Sequence, residues 1–439
     1  MKMERYFRIP SCLLLRASLY VLFMAAPGVL LAAQWTINPS AKVEQSYTDN
    51  IYLSSLSSPK VTTRTVNPVI DFGWATERAN LDLSGDWKYR QYTGDPNLKN
   101  RTDSRYQLKS GYKTERSEFS LDGSYVKDTT LSQESYSEDT GVVLAQLNRQ
   151  TKQIAPAWSW MLNEQSNLRI DLQYQDVAYE KSLINPYDDY TYGDGSLTYT
   201  FQWTARDQVY AVVDQSRFGT KKRALIPAYK MVSARKYLGS GSDTLTYQIG
   251  LNHQFSSTFS MGLGYGRRES KSQTQYQECS ATQTVYYRYY LYNLCTATIE
   301  TQTLLNTSSP VFTVSADKDF ELTKLGLNLS RTITGSGLGS EMQVDSLDMT
   351  INHHISEKFN LRFKGMVNQR VAVNSYFNFY DRKYLRGEVN LNWRPDKNWN
   401  VYAAYRYVQQ VYKSSNVTAV SNNISLNIRY VWDRISMSR

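Results

Sequence analysis

Segments in which apolar and polar side chains take turns recur along this chain, and they constrain its fold more than any other feature. Ala79, Leu81, Leu83, Gly85, Trp87 and Tyr89 alternate with Asn80, Asp82, Ser84, Asp86, Lys88 and Arg90. Phe119, Leu121, Gly123 and Tyr125 alternate with Glu118, Ser120, Asp122 and Ser124, and Leu168, Ile170, Leu172 and Tyr174 with Asn167, Arg169, Asp171 and Gln173. Leu197, Tyr199, Phe201 and Trp203 do the same, as do Ile424, Leu426, Ile428, Tyr430 and Trp432. Successive side chains on a strand point to opposite faces, so each segment is a strand with one apolar and one mainly polar face. A soluble sandwich or solenoid would alternate too. Soluble strands, however, rarely run this long with aromatics crowding their ends, and no linker or composition shift divides the chain into domains.

Short polar connections alternate with long ones, the asymmetry of an outer-membrane barrel with short periplasmic turns and long outer loops. The short ones lie near 76–78, 114–116, 163–165, 205–207, 256–257, 317–319, 356–358 and 395–397. Eight such turns with both termini periplasmic predict about 18 strands, or 16 if the strand carrying Pro310 is dropped. The expected fold is all-β, a transmembrane antiparallel up-and-down β-barrel. Closure is obligatory, because an open sheet edge in hydrocarbon leaves backbone groups without partners. The aromatic content, Tyr 35, Trp 9 and Phe 14, fits such a barrel despite a mean hydropathy of −0.52. The last alternating strand ends on Trp432, like the aromatic-ending signal barrels present to their insertion machinery, although seven residues follow it.

Residues 1–33 have the layout of a signal peptide: Lys2, Arg5 and Arg8, then an apolar run, then Ala32-Ala33. Residues 34–439 are then one outer-membrane barrel domain of a Gram-negative bacterium. After Ala33 no stretch approaches the roughly 20 apolar residues of a membrane-spanning helix. The net charge is +10, and the leader's Lys2, Arg5, Arg8 and Arg16 against Glu4 leave about +7 for the mature chain. In an exported protein that bias concerns lipid phosphates or an anionic solute, not nucleic acid.

If the apolar faces meet lipid, the alternate residues line the interior: Lys88, Arg90, Arg105, Lys109, Lys113, Arg169, Arg268, Arg362, Lys364, Arg370, Arg386, Arg394, Arg406 and Arg429. Fewer acids share that face: Asp82, Asp86, Glu118, Asp122, Asp171 and Glu388. A barrel of 16 to 18 strands holds an aqueous channel, and Arg/Lys linings favour anions. The alternatives are basic groups merely paired with acids, and a plugged lumen. Gly262, Gly264 and Gly266 share one strand face and leave local space. Cys279 and Cys295 lie in what reads as the longest loop, about 270–303, and are expected to form a disulfide across it. That bridge either stiffens a loop folded over the mouth or staples an exposed one.

Nothing points to catalysis, a cofactor or a metal. His253, His353 and His354 fall beside short turns, no nucleophile-elbow motif is present, and Asp188, Asp189 and Asp194 read as a glycine-flanked turn.

The first mature segment carries a resemblance. Trp35, Ile37, Pro39, Ala41 and Val43 lead into Tyr47-Thr48-Asp49-Asn50-Ile51-Tyr52-Leu53. This resembles the opening of the type 2 β-barrel porins that accompany exopolysaccharide synthesis and export operons, and the run of hairpins over the mature chain is similar to that group. The resemblance implies an outer-membrane role in secreting or assembling a surface polysaccharide, and the expectation is a monomeric barrel in outer-membrane lipid that forms a hydrated route for an exopolysaccharide alongside periplasmic or inner-membrane export components. A general diffusion porin and a closed adhesive barrel are the alternatives.

Overall fold

The computed structural model describes residues 33–55, 58–133, 146–181, 187–223, 225, 235–287, 290–336, 340–373, 381–413 and 416–438. Residues 1–32 of the proposed leader lie outside them. Each alternating segment is a strand: β1 Gln34–Thr48, β2 Val61–Ala75, β3 Ala79–Thr93, β4 Arg101–Lys113, β5 Ser117–Thr129, β6 Asn148–Met161, β7 Ser166–Tyr179, β8 Tyr190–Gln202 and β9 Asp207–Thr220. The second half comprises β10 Arg235–Ser256, β11 Phe259–Tyr287, β12 Tyr290–Asp319, β13 Thr323–Ser336, β14 Ser340–His354, β15 Phe359–Ala372, β16 Arg382–Trp393, β17 Trp399–Tyr412 and β18 Val417–Val431. A helical turn, α1 Thr130–Gln133, follows β5, and a short β19, Ile435–Ser438, ends the chain. Sequential neighbours pair antiparallel, and β1 pairs β18 through Ser40↔Val431 to Thr48↔Asn423, closing an 18-strand barrel.

Residues after Trp432 extend the closing seam. After a break at Asp433-Arg434, β19 pairs Gln34↔Ser438 to Ile37↔Ile435, so the lower half of β1 also has partners on both sides. Pro39 occupies the gap between β18 and β19. Proline cannot donate to a ladder, and the other strand prolines also sit at interruptions. The β2–β3 register skips Pro68, and the β6–β7 register skips Pro156. Pro310 lies where β12 pairs β11 alone, because β12 meets β13 only from Thr313 to Asp319. The doubtful hairpin is therefore present. Its turn is at 320–322, beyond the expected 317–319.

The stretch read as the longest loop is not a loop. β11 and β12 stay paired from Phe259↔Lys318 to Tyr287↔Tyr290, while the β10–β11 pairing ends at Arg235↔Glu278. Above that level, among the described residues, the two strands pair only with each other and form an arm. The Cys279–Cys295 disulfide crosses its base, with Cα atoms 5.7 Å apart. Beside the arm, the outer ends of β13 and β14 leave β12 and lean inward until β14 touches β10. There Thr244 Oγ1 lies 3.0 Å from Glu341 Oε2 and 2.8 Å from Ser270 Oγ, all three residues buried.

The outer face carries the apolar residues, and they are exposed: Val66, Ile70, Leu172, Leu263 and Leu426 at about half their surface, Ile249 at 69% and Tyr265 at 67%. So continuous a belt is far larger than the patch a soluble protein tolerates, and lipid is the solvent that suits it. Eight of the nine tryptophans, Trp35, Trp74, Trp158, Trp160, Trp203, Trp393, Trp399 and Trp432, stand at its short-turn end. Tyr47, Tyr89, Tyr174, Tyr247, Tyr265 and Tyr405 mark the other. These are the two aromatic girdles of a barrel spanning a membrane.

Candidate functional site

Register decides which side chains share the inner face. On β3 and β4, Asp86 faces Arg105, Asp82 faces Lys109, and Lys88 faces Asp103. Lys88 lies 3.3 Å from Asp86, and Arg90 lies 3.0 Å from Asp103. Lys113 is opposite Glu118, and Lys109 is also opposite Asp122. Arg169 clasps Asp171 of its own strand at 2.6 Å. Arg362 donates to Asn352 Oδ1 at 2.6 Å, and Lys364 stands opposite Glu388. Arg386 and Arg406 both donate to Glu388 Oε2, at 2.6 and 2.7 Å, and Arg429 donates to Ser40 Oγ at 3.0 Å.

Three expected residues stand elsewhere than on an open wall. Arg268 is buried where β14 covers β10 and β11, facing Glu341. Arg370 is buried at the outer end beside Arg382. Arg394 follows the end of β16 in an exposed short turn, its N–H bonded to Lys358 O. Sequence reading missed Lys42, Arg101, Arg149 and Arg382, which also belong to this face. Arg101, Arg149 and Arg382 begin or nearly begin strands after long loops, where alternation starts too late to show a period.

Charge is unevenly spread around the ring. The inner faces of β15–β18 and β1 carry Arg362, Lys364, Arg370, Arg382, Arg386, Arg406, Arg429 and Lys42 against Glu388 and Glu44. Across the ring, among the described residues of β8, β9 and Ser240–Asn252 of β10, that face holds Asp194 and Asp214 and no Lys or Arg. Low-dielectric walls focus such a field into the water between them. Arg386 and Arg406 share Glu388, and on the described strands of this wall basic residues outnumber carboxylates.

The outer end is narrowed by side chains that turn inward. The Thr48-Asp49-Asn50 segment owes this to hydrogen bonds. Asp49 accepts from the Asn422 backbone and side-chain N–H groups, each at 2.7 Å. Asn50 Nδ2 donates to Ser54 O at 2.7 Å and Val420 O at 2.8 Å, and its Oδ1 accepts from Ser54 N at 3.0 Å. The tight turn sets Leu53 at φ 48°. Ile51 then packs with Val61, Leu98 and Leu131, while Leu53 packs with Tyr384, Val408 and Ala419. The first outer loop thus straddles the seam, touching walls on both sides of it. Burial and the neighbouring Asp95 carboxylate, 2.7 Å away, raise the Tyr52 hydroxyl's pKa. A further buried cluster, including Val177, Tyr179, Tyr187, Tyr190 and Phe218, lines the outer end of β7–β9.

The histidines do not form a nucleophile–base–acid array among the described residues. His253 Nδ1 is 2.6 Å from Asp207, and His353 Nδ1 is 2.8 Å from Thr323 Oγ1, on separate hairpins. The acidic trio is also dispersed. Asp188 pairs with Arg223 at 2.7 Å, Asp189 accepts from Tyr179 N at 2.8 Å, and Asp194 lies within β8 with Gly193 and Gly195, not in a turn. Burial raises the Asp188 carboxyl despite Arg223. Among the described residues no group of three or more His, Cys, Asp or Glu is placed to hold a metal ion.

A closed antiparallel barrel that is apolar outside, charged within and ringed by two aromatic girdles has the build of an outer-membrane-type β-barrel. No protein-family model matches the chain, and no curated protein matches it. Solved structures to which it is similar include the outer membrane protein OpdK of Pseudomonas aeruginosa, at 10% identity and TM-score 0.46, covering 93% of this chain and 100% of that one. Another is the outer membrane channel DcaP of Acinetobacter baumannii, at 10% identity and TM-score 0.42, covering 91% and 97%. The copper transporter OprC matches at 12% identity and TM-score 0.42 over 87% of this chain, which spans 64% of OprC's length.

Proposed function

We propose that this barrel is a passive route by which an anionic exopolysaccharide crosses the outer membrane. The observation that carries the reading is the cationic wall of β15–β18 and β1, where Arg362, Lys364, Arg386, Arg406, Arg429 and Lys42 face the lumen against Glu388 and Glu44, with Arg370 and Arg382 buried at its outer end. A polyanion sliding along that wall exchanges one guanidinium partner for the next without leaving the field. The resemblance of residues 47–53 to the exopolysaccharide-operon porins points the same way. The chain acts without chemistry of its own and as a monomer, with energy supplied by polymer synthesis at the inner membrane and delivery by periplasmic export components. A general diffusion porin for small anions uses the same wall and is the second reading.

The two readings part in a deletion strain. An exporter's loss leaves polysaccharide trapped in the periplasm, and plasmid-borne protein restores its release. Normal release together with slowed uptake of small anions would establish the diffusion porin instead.

A further inference from the structure

Within the lumen, opposite the basic wall, Tyr210 has an unusual seat. Register runs Thr200↔Tyr210↔Gly250↔Gly264 across β8–β11, so Tyr210 points inward beside two inward-facing glycines. Its ring reaches sideways over Gly250, and its hydroxyl lies over Gly264. Of the atoms near the point where a Gly250 Cβ would stand, Cζ is nearest, and Oη and Cε1 are slightly and almost equally farther. That pattern belongs to a point directly above a ring, not beside it. Since the missing Cβ would point into the barrel, the ring lies face-down on the wall with its other face toward the water.

The glycines make this possible, because any side chain at 250 would lift the ring. The space left by Gly262 and Gly264 is likewise taken by amides: Asn252 lies over Gly262 and Gln248 over Gly264. Those amides are held low, Asn252 Nδ2 donating to Gln208 Oε1 at 3.1 Å and Gln248 Nε2 to Thr313 Oγ1 at 3.4 Å. The result is a flat aromatic face bordered by amide groups, with Asp214 further along the same strand face.

We infer that Tyr210 is a stacking platform for a pyranose ring of the transported chain. This rests on the channel reading and assigns the sugar's neutral face a wall of its own. A pyranose presents C–H bonds with positive partial charge on its faces and hydroxyls around its edge. An aromatic face is negative, so the C–H face settles on Tyr210 while edge hydroxyls meet Gln248, Asn252 and Thr200. The basic wall then holds charged substituents, and the Tyr210 wall holds the ring.

The test uses maltohexaose, a neutral oligosaccharide to which the basic wall is indifferent, and the full-length barrel in detergent. Calorimetry should detect binding in the wild type. Tyr210→Ala and Gly250→Val should each weaken it about tenfold, whereas Tyr210→Phe and Tyr210→Trp should stay within about twofold. Heat-modifiable gel mobility checks that each variant is folded, and the Phe and Trp variants report on the ring even if Ala does not fold. Unchanged binding in folded Tyr210→Ala, or no binding by the wild type, overturns the platform. A barrel that binds maltohexaose through Tyr210 yet passes no salt current upholds the platform and overturns the channel reading.

Discussion

At the scale of single residues, each face of the wall answers to a different solvent. Leu263 stands on the outer face between Phe259 in the lower girdle and Tyr265 in the upper one. A cation placed near the bilayer midplane of such a barrel costs about 2–4 kcal/mol. Leu263→Arg should therefore destabilise the barrel by roughly that amount in guanidinium unfolding in lipid vesicles, whereas Thr246→Arg, on the inner face, should cost far less. Equal costs would mean that the outer face does not meet hydrocarbon. Residue identity made this division legible before any coordinates, since Leu81, Leu83, Lys88 and Arg90 declare their faces by parity alone. Asn50 did not. Two of its hydrogen bonds close the turn on Ser54, and the third, to Val420 O, ties that turn to β18, some 370 positions away in the chain; no local period encodes such a contact.

Among the elements, strand number and hairpin order were readable because each membrane crossing must repeat the two-faced pattern and each short turn is polar. The arm was not readable for the opposite physical reason. Beyond Glu278, among the described residues, β11 and β12 pair only with each other, so neither face needs to be apolar, and a stretch such as Cys279-Ser280-Ala281-Thr282-Gln283 resembles a loop. Gly193-Asp194-Gly195 misled similarly, since glycines on the outer face of β8 and a carboxylate on the inner one imitate a turn. The arm's position outside the barrel ladder predicts the disulfide's role. Bridging residues 16 apart is worth about 3 kcal/mol in the chain-entropy model, and that contribution should stay local. Cys279→Ser with Cys295→Ser should speed proteolysis within the arm while leaving the barrel's heat-modifiable mobility unchanged. A drop in barrel unfolding temperature would show that the arm braces the wall after all.

For the whole molecule, closure turns a list of strands into a ring, and the ring sets β15–β18 and β1 across from β8–β10. Individual basic residues were visible in the sequence, but this opposition was not, because it depends on which strands face one another over water. It gives the lumen a cationic wall and a wall that is acidic and aromatic. Charged linings select by sign, and the surplus here is positive. The direct measurement is the reversal potential of the purified barrel in a planar bilayer across a KCl gradient. A positive lining requires chloride to be preferred over potassium, with Arg362→Glu, Lys364→Glu and Arg406→Glu together reversing the sign. Potassium preference in the wild type, or a membrane that stays electrically silent with folded barrel inserted, would contradict it.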